Sequence, residues 1–194
     1  MLRNKIFKDS ELRLFFDELN EVHKILRAEF KKQFNRTLPF SEEVFDRWEK
    51  AKHLNFGKGS SIYDSSFVFG SLIVGEDVWI GPYTIIDGSG DLVIGNNVTI
   101  SSGVHIYTHD NIKQTLIGKH INIEKGRVLI GDNTYIGPNV IITKNVEIGN
   151  RCVIATNSFV KDSFDNNSII AGSPAKKIGE VVINGDDLTF NYFK

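Results

Sequence analysis

Five histidines, one cysteine and a few isolated acids are the side chains in this sequence best suited to move a proton, hold a metal or attack a carbonyl. Histidine exchanges its proton near neutral pH, with a reference pKa of about 6.5, and so suits general-base work. Three histidines stand close together, at His105, His109 and His120, and His109 sits in the run Thr108-His109-Asp110. Three histidines can also ligate zinc. His23 and His53 lie upstream among helix-forming residues and have no claim on chemistry. Cys152 stands alone, so it supports neither an internal disulfide nor a cysteine-rich metal site.

The elements around these residues follow from composition and period. The chain has 194 residues, with Lys+Arg 23 against Asp+Glu 24 and a formal net charge of −1. That balance argues against a protein that coats nucleic acid or an anionic membrane. No uncharged apolar run approaches the roughly 20 residues that cross a bilayer. Met1-Leu2-Arg3-Asn4-Lys5 leads into a charged amphipathic stretch rather than an apolar signal core, so a cytoplasmic soluble protein is expected. All 17 glycines lie at or beyond Gly57, whereas eight of the 14 phenylalanines lie at or before Phe56. Such a division predicts a helical hairpin over 1–56, a repeat domain over 57–180 and a tail over 181–194.

In the first segment Leu12, Phe15, Phe16, Leu19, Val22, Leu26 and Phe30 recur in steps of three and four, the face of an amphipathic helix. Asp9 or Ser10 is the expected cap. Pro39 interrupts, and Ser41 opens a second helical pattern through Val44, Phe45, Trp48 and Ala51. The aromatic stripe is expected to be core, against the rest of the chain or a neighbouring subunit. The tail, Val181-Val182-Ile183-Asn184-Gly185, reads as a strand and turn.

From Ile62 an aliphatic residue returns every sixth position: Val68, Val74, Ile80, Ile86, then Ile94, Ile100, Ile106, and again from Ile130 to Val160. Glycine often follows it, and a small or β-branched residue falls four positions after it, including Cys152, expected to be a small buried hydrophobe. Six is the period of one short strand plus one sharp turn, with glycine or asparagine easing the bend. Three such units close a triangular coil, and coils stack about 4.8 Å apart. The fourteen units imply between four and five coils. The period breaks between Ile106 and Ile130, an interval of 24 residues that can hold one coil plus six. Asp110 falls there at a position meant for an inward aliphatic, so the wall is expected to stop. Insertions in solenoids project from one face and carry function.

The units Ile94-Gly95-Asn96-Asn97-Val98-Thr99 and Ile130-Gly131-Asp132-Asn133-Thr134-Tyr135 resemble those of the hexapeptide-repeat left-handed β-helix acyltransferases. Gly103-Val104-His105-Ile106-Tyr107-Thr108-His109-Asp110 and Ala171-Gly172-Ser173-Pro174-Ala175-Lys176-Lys177-Ile178 narrow the similarity to the sugar and polysaccharide O-acetyltransferases, the maltose and galactoside acetyltransferase-like group. The resemblance implies a mainly β fold, a left-handed parallel β-helix with an N-terminal α-helical segment and a loop excursion. It implies a homotrimer that transfers an acetyl group from acetyl-CoA to a carbohydrate hydroxyl, with no metal. The acceptor would belong to a surface polysaccharide, a glycolipid or a precursor.

In that group the histidine after a Tyr-Thr strand end is the base, and His109 matches it; the sugar acetyltransferases have two further residues before theirs. Backbone N–H groups beside the loop would stabilise the oxyanion. On the acceptor side the candidates are His105, Asp87, Asp110 and Tyr135, the last standing where relatives commonly carry Trp. For coenzyme A they are Ala155, Thr156 and Asn157 against the pantetheine, and Lys161, Lys176 and Lys177 toward the phosphates. Three other readings compete: N-acetylation of a nucleotide- or lipid-linked amino-sugar, a β-helical zinc enzyme using His105, His109 and His120, and a non-catalytic scaffold.

Overall fold

A computed structural model describes residues 11–193. The chain divides into two compact units, 1–46 and 47–194. The expected cap at Asp9 or Ser10 lies outside the described residues.

In the first unit the three-and-four spacing forms helix α1, Glu11–Phe34, followed by the short helix α2, Phe40–Val44. The second helical pattern is not continuous. Phe45 takes an extended conformation that ends α2, and helix α3, Arg47–His53, belongs to the second unit. The aromatic stripe is only partly covered: Phe16, Leu26 and Phe30 are half-buried, while Leu12, Phe15 and Val22 are exposed.

The second unit is a mainly β solenoid, a left-handed parallel β-helix of about six turns. Its wall has three faces. The first stacks Ser61–Ile62, Trp79–Ile80, Thr99–Ile100, Tyr135–Ile136, Val153–Ile154 and Ser168–Gly172 in parallel. The second runs Phe67–Val68, Ile85–Ile86, His105–Ile106, Ile141–Ile142 and Phe159–Val160. Leu72–Val74, Leu92–Ile94, Val128–Ile130 and Val146–Ile148 form the third. The six-residue aliphatics point inward, and all but the half-buried Val68 are at most 5% exposed. Most residues four positions later are buried as well, Thr84, Thr134, Cys152 and Ser158 among them.

The turn count exceeds the four to five coils expected from period six. From Val160 to Phe164 the step is four residues, yet Phe164 still bridges Ile148, and Ser168–Ile170 joins the first face. A shortened corner hides the last units from a strict count.

Bend and glycine also separate. Where the six-residue period is kept, the left-handed backbone mostly falls on the third residue after the aliphatic, as at Asn97, Asn133, Asn139 and Asn157, with φ of 52°, 57°, 56° and 59°. The asparagine side chain tolerates this conformation. The glycine directly after the aliphatic has no positive φ and is needed for a different reason. A Cβ on Gly137 would come 2.8 Å from the Thr156 amide nitrogen and 2.9 Å from the Ile154 carbonyl of the next coil. Stacking, rather than the turn, selects glycine there.

Both ends of the wall are covered. In α3, Ala51 packs into the core, and the Lys50 ammonium donates to the carbonyls of Tyr63, Asp64 and Ser66 at 3.0, 2.8 and 3.0 Å. Charge and a helix thus protect the first edge from strand addition. At the far end Ala175–Asn184 pairs antiparallel with Ser168–Gly172, and Asp187–Tyr192 pairs antiparallel with Ala175–Asn184, so the tail forms the expected strand and turn.

We expect Gly137→Ala to destabilise the fold by about 1–3 kcal/mol, the usual range for overpacking. A urea midpoint lowered at unchanged slope checks it, and an unchanged midpoint would refute the stacking explanation.

Candidate active site

The period breaks three times in the wall, and each break lies at the corner between the second and third faces. Ile86 to Ile94 takes eight residues, Ile106 to Ile130 takes 24 and Val160 to Phe164 takes four. The long interval does not contain an extra coil. Ile106 pairs with Ile142 and Ile94 with Ile130, so eighteen residues leave the wall altogether. Their ends are closed by a short antiparallel pair, His109–Asp110 with Glu124–Lys125, and between them lies helix α4, Ile112–Ile117.

Thr108 is the hinge pin at the foot of this excursion. It is fully buried; its hydroxyl accepts from the Gly90 N–H at 2.8 Å, and its own N–H donates to Asp87 Oδ2 at 2.8 Å. The same hydroxyl lies 2.9 Å from both the Asp87 carbonyl and Oδ2. His109 follows, with Nδ1 2.7 Å from Asp87 Oδ2. Asp87 is 1% exposed. Burial by itself pushes its carboxyl up, but hydrogen bonds from Ser89 and Thr108 outweigh this and hold it far below the ordinary carboxylate range. Asp87 is therefore ionised at any working pH, and its stabilising contribution disappears only as pH falls through that depressed value.

An ionised carboxylate can only accept, so the Asp87 contact sets Nδ1 as the protonated nitrogen and leaves Nε2 as the acceptor. The same carboxylate would stabilise the imidazolium once Nε2 takes a proton. The pair borders a cleft of about 510 Å³ lined by Phe69, Tyr107, Asn111, Ile112, Ile123 and Thr143, together with Asp110 and Lys144.

Other site candidates are distributed differently. Asp110 lines the cleft, but its Oδ1 accepts from the Ile112 N–H at 3.1 Å and its Oδ2 lies 2.8 Å from Lys144 Nζ. Asp87 backs the histidine instead of lying open to an acceptor. His105 is outside the cleft lining, with Nδ1 3.3 Å from the Tyr107 hydroxyl. Tyr135 sits on the first face, in an apolar groove with Val153, Val181, Leu188 and Phe190. Ala155, Thr156 and Asn157 form the corner between the first and second faces, with Thr156 and Asn157 exposed. Lys161 shares the corner of His109 two coils on, beside Asp162 at 2.9 Å. Lys176 is exposed on the strand Ala175–Asn184, while Lys177 pairs with Glu180 at 2.6 Å. Cys152 is fully buried, and desolvation pushes its thiol up, away from nucleophilic use. Among the described residues no three His, Cys, Asp or Glu side chains are grouped as metal ligands.

Sequence reasoning missed Thr108, Phe69 and Lys144. Lys144 follows Ile142 by two residues, at the excursion's own corner one coil later. Its ammonium reaches Asp110 at 2.8 Å and Glu124 at 2.8 Å, the two residues that face each other across the closing pair. Lys113 adds a second contact to Glu124. Hydrogen bonds donated by Lys144 to both acids, and by Lys113 to Glu124, hold the Asp110 and Glu124 carboxyls below their ordinary values, and the bonds Lys144 makes to the two acids hold it above its own.

A parallel β-helix with a carboxylate-backed histidine in a cleft defines a class of protein suited to deprotonating a nucleophile, and comparison with known proteins gives the family. Residues 127–162 match the family described as bacterial transferase hexapeptide (six repeats). The chain is 31% identical over 133 residues to WbbJ of Escherichia coli (strain K12), named as a lipopolysaccharide biosynthesis O-acetyltransferase, a match covering 64% of this chain and 68% of that one. A maltose O-acetyltransferase from Clostridium difficile 630 superposes with a TM-score of 0.53 at 26% identity, over 84% of this chain and 87% of that one. AntD, an N-acyltransferase from Bacillus cereus in complex with dTDP and 3-hydroxybutyryl-CoA, gives a TM-score of 0.58 at 25% identity, over 69% and 87%. The chain belongs to the hexapeptide-repeat family of acyltransferases. Among its described residues no helix is long and apolar enough to cross a membrane.

Lys144→Met should release the excursion from the wall. The tether persists as pH falls through the ordinary carboxylate range, is lost at the depressed values of Asp110 and Glu124, and at the alkaline end is lost only above the ordinary lysine value. At neutral pH limited proteolysis should cut wild type slowly and Lys144→Met at least several-fold faster within 107–127; equal rates would refute the tether.

Proposed function

We propose that the protein transfers an acetyl group from acetyl-CoA to a carbohydrate hydroxyl, with His109 as general base. The observation that carries this reading is the 2.7 Å contact of His109 Nδ1 with the buried Asp87. His109 Nε2 takes the proton from the acceptor hydroxyl as its oxygen attacks the thioester carbonyl. A tetrahedral oxyanion forms, its C–S bond breaks, and Nε2 returns the proton to the departing thiolate. Asp87 keeps Nδ1 protonated throughout and balances the transient imidazolium. This route needs no acyl-enzyme, because the acceptor oxygen attacks the thioester directly, and the one cysteine, Cys152, is buried. A relative named for O-acetyl transfer in lipopolysaccharide biosynthesis and a maltose O-acetyltransferase among the similar structures support the carbohydrate hydroxyl as acceptor.

The donor reading places coenzyme A along the Ala155-Thr156-Asn157 corner, with Lys161 and Lys176 near its phosphates. Those small and polar residues are accessible and suit an extended pantetheine. In one chain that corner is separated from the excursion's corner by the whole second face. A groove between two copies, with one chain's corner facing the neighbour's His109, removes the separation, so a homotrimer is the proposed working unit. A cytoplasmic location agrees with an acetyl-CoA donor. N-acylation is the second reading, favoured by the likeness to AntD.

His109→Ala should lower kcat by about 10²–10⁴-fold with the assembly and the KM for acetyl-CoA retained, and Asp87→Asn by about 10²-fold or more, since it perturbs the tautomer. Steady-state kinetics check both, and wild-type kcat in His109→Ala would overturn the assignment. Alkali-labile product identifies an ester and alkali-stable product an amide.

A further inference from the structure

Two phenylalanines project from the outer wall of the first coil without serving the core. Phe67 and Phe69 are 61% and 48% exposed and lie two apart on one strand, so they leave the same side of the sheet. Their ring centroids are 6.3 Å apart and their planes within 9° of parallel. Together they form an exposed, stacked aromatic strip.

That strip leads into the active-site cleft. Phe69 is the ladder neighbour of Asp87, and Asp87 holds His109; Phe69 itself lines the cleft with His109. A substrate whose nucleophile sits at His109 Nε2 therefore has Phe69 beside it and Phe67 next along. The rest of the lining narrows what that substrate is. Tyr107, Ile112 and Ile123 add apolar surface, while Asn111 and Thr143 offer hydrogen-bonding groups. Lys144, the lysine of this lining, is engaged by two carboxylates, so a phosphate or carboxylate headgroup meets no uncommitted lysine or arginine there.

Sugar rings combine these properties, with an apolar C–H face that stacks on aromatic planes and a rim of neutral hydroxyls. The geometry points to Phe67 and Phe69 as a stacking platform for at least two linked sugar units, the reacting unit on Phe69 and its neighbour on Phe67. The acceptor class is then an oligosaccharide or glycan chain in preference to a free monosaccharide. This inference rests on the carbohydrate reading above and adds the residues and the length of acceptor.

The test measures KM for acetyl-CoA and for a panel of hexosides and N-acetylhexosaminides, each as monosaccharide and as disaccharide glycoside. Both side chains are exposed, so truncation leaves no core cavity. Phe69→Ala should raise the acceptor KM about tenfold, the worth of one aromatic stacking contact, without moving the donor KM. Phe69→Trp should retain wild-type acceptor KM and Phe69→Leu should not, because a flat face is required and bulk is not enough. Phe67→Ala should raise the disaccharide KM more than the monosaccharide KM. An unchanged acceptor KM in Phe69→Ala, a leucine as good as tryptophan, or a shift confined to the donor KM would overturn the platform. A smaller assembly in Phe69→Ala would reassign the strip to a contact between copies. A wild-type protein that acetylates no sugar of the panel overturns the carbohydrate reading and the platform with it, whereas sugar transfer that ignores both rings overturns the platform alone.

Discussion

Every part of the second unit depends on one coil stacking in register on the next. The Trp79 N–H donates to Val98 at 2.9 Å, the Thr99 N–H to Thr134 at 3.0 Å and the Tyr135 N–H to Cys152 at 2.9 Å, and each carbonyl belongs to the following coil. Stacking at strand spacing puts Ile62, Ile80, Ile100, Ile136, Ile154 and Ile170 in one interior column. It also forbids side chains where two corners touch, which is why Gly137 lacks one. Extra residues cannot be absorbed within a strand without turning the aliphatics outward, so they must leave at a corner.

The proposed active site is built from those departures. The eight-residue step carries Asp87-Gly88-Ser89-Gly90, and the excursion one coil later carries Thr108 and His109 at the same corner. Stacking sets the two irregular segments against each other. Thr108 closes the junction, and the Asp87 carboxylate receives the histidine in a site where burial would otherwise neutralise it. Lys144, from the regular corner above, ties down the far side. The proposed function thus falls to loops held by a rigid wall, a common division of labour in folds of this kind.

Much of this was legible in residues 62–160. Period six is incompatible with helix or flat strand and names the inward positions, and the burial of Cys152 followed from its place in that count. The excursion and its histidine were visible as a break. Less legible was the place of Asp87, which reads as an acceptor-side acid until the ladder shows that Ile86 pairs with Ile106. Phe69 and Lys144 carry no local signal, because each acts through a residue on another coil. The helical segment read correctly as helix but not as one uninterrupted second helix, since Phe45 adopts extended backbone within a good helical pattern.

By itself the sequence determined the coil, its inward column, the corner where it breaks and the histidine that the break presents, because those depend on spacing along the chain. Only the tertiary structure decided that Asp87 and not Asp110 partners His109, that Asp110 is held by Lys144, and that His105 and Tyr135 lie outside the cleft. The reason is physical: neighbours in a solenoid are one coil apart, and coils of eighteen, twenty and thirty-six residues bring together side chains whose separation in sequence does not advertise their contact.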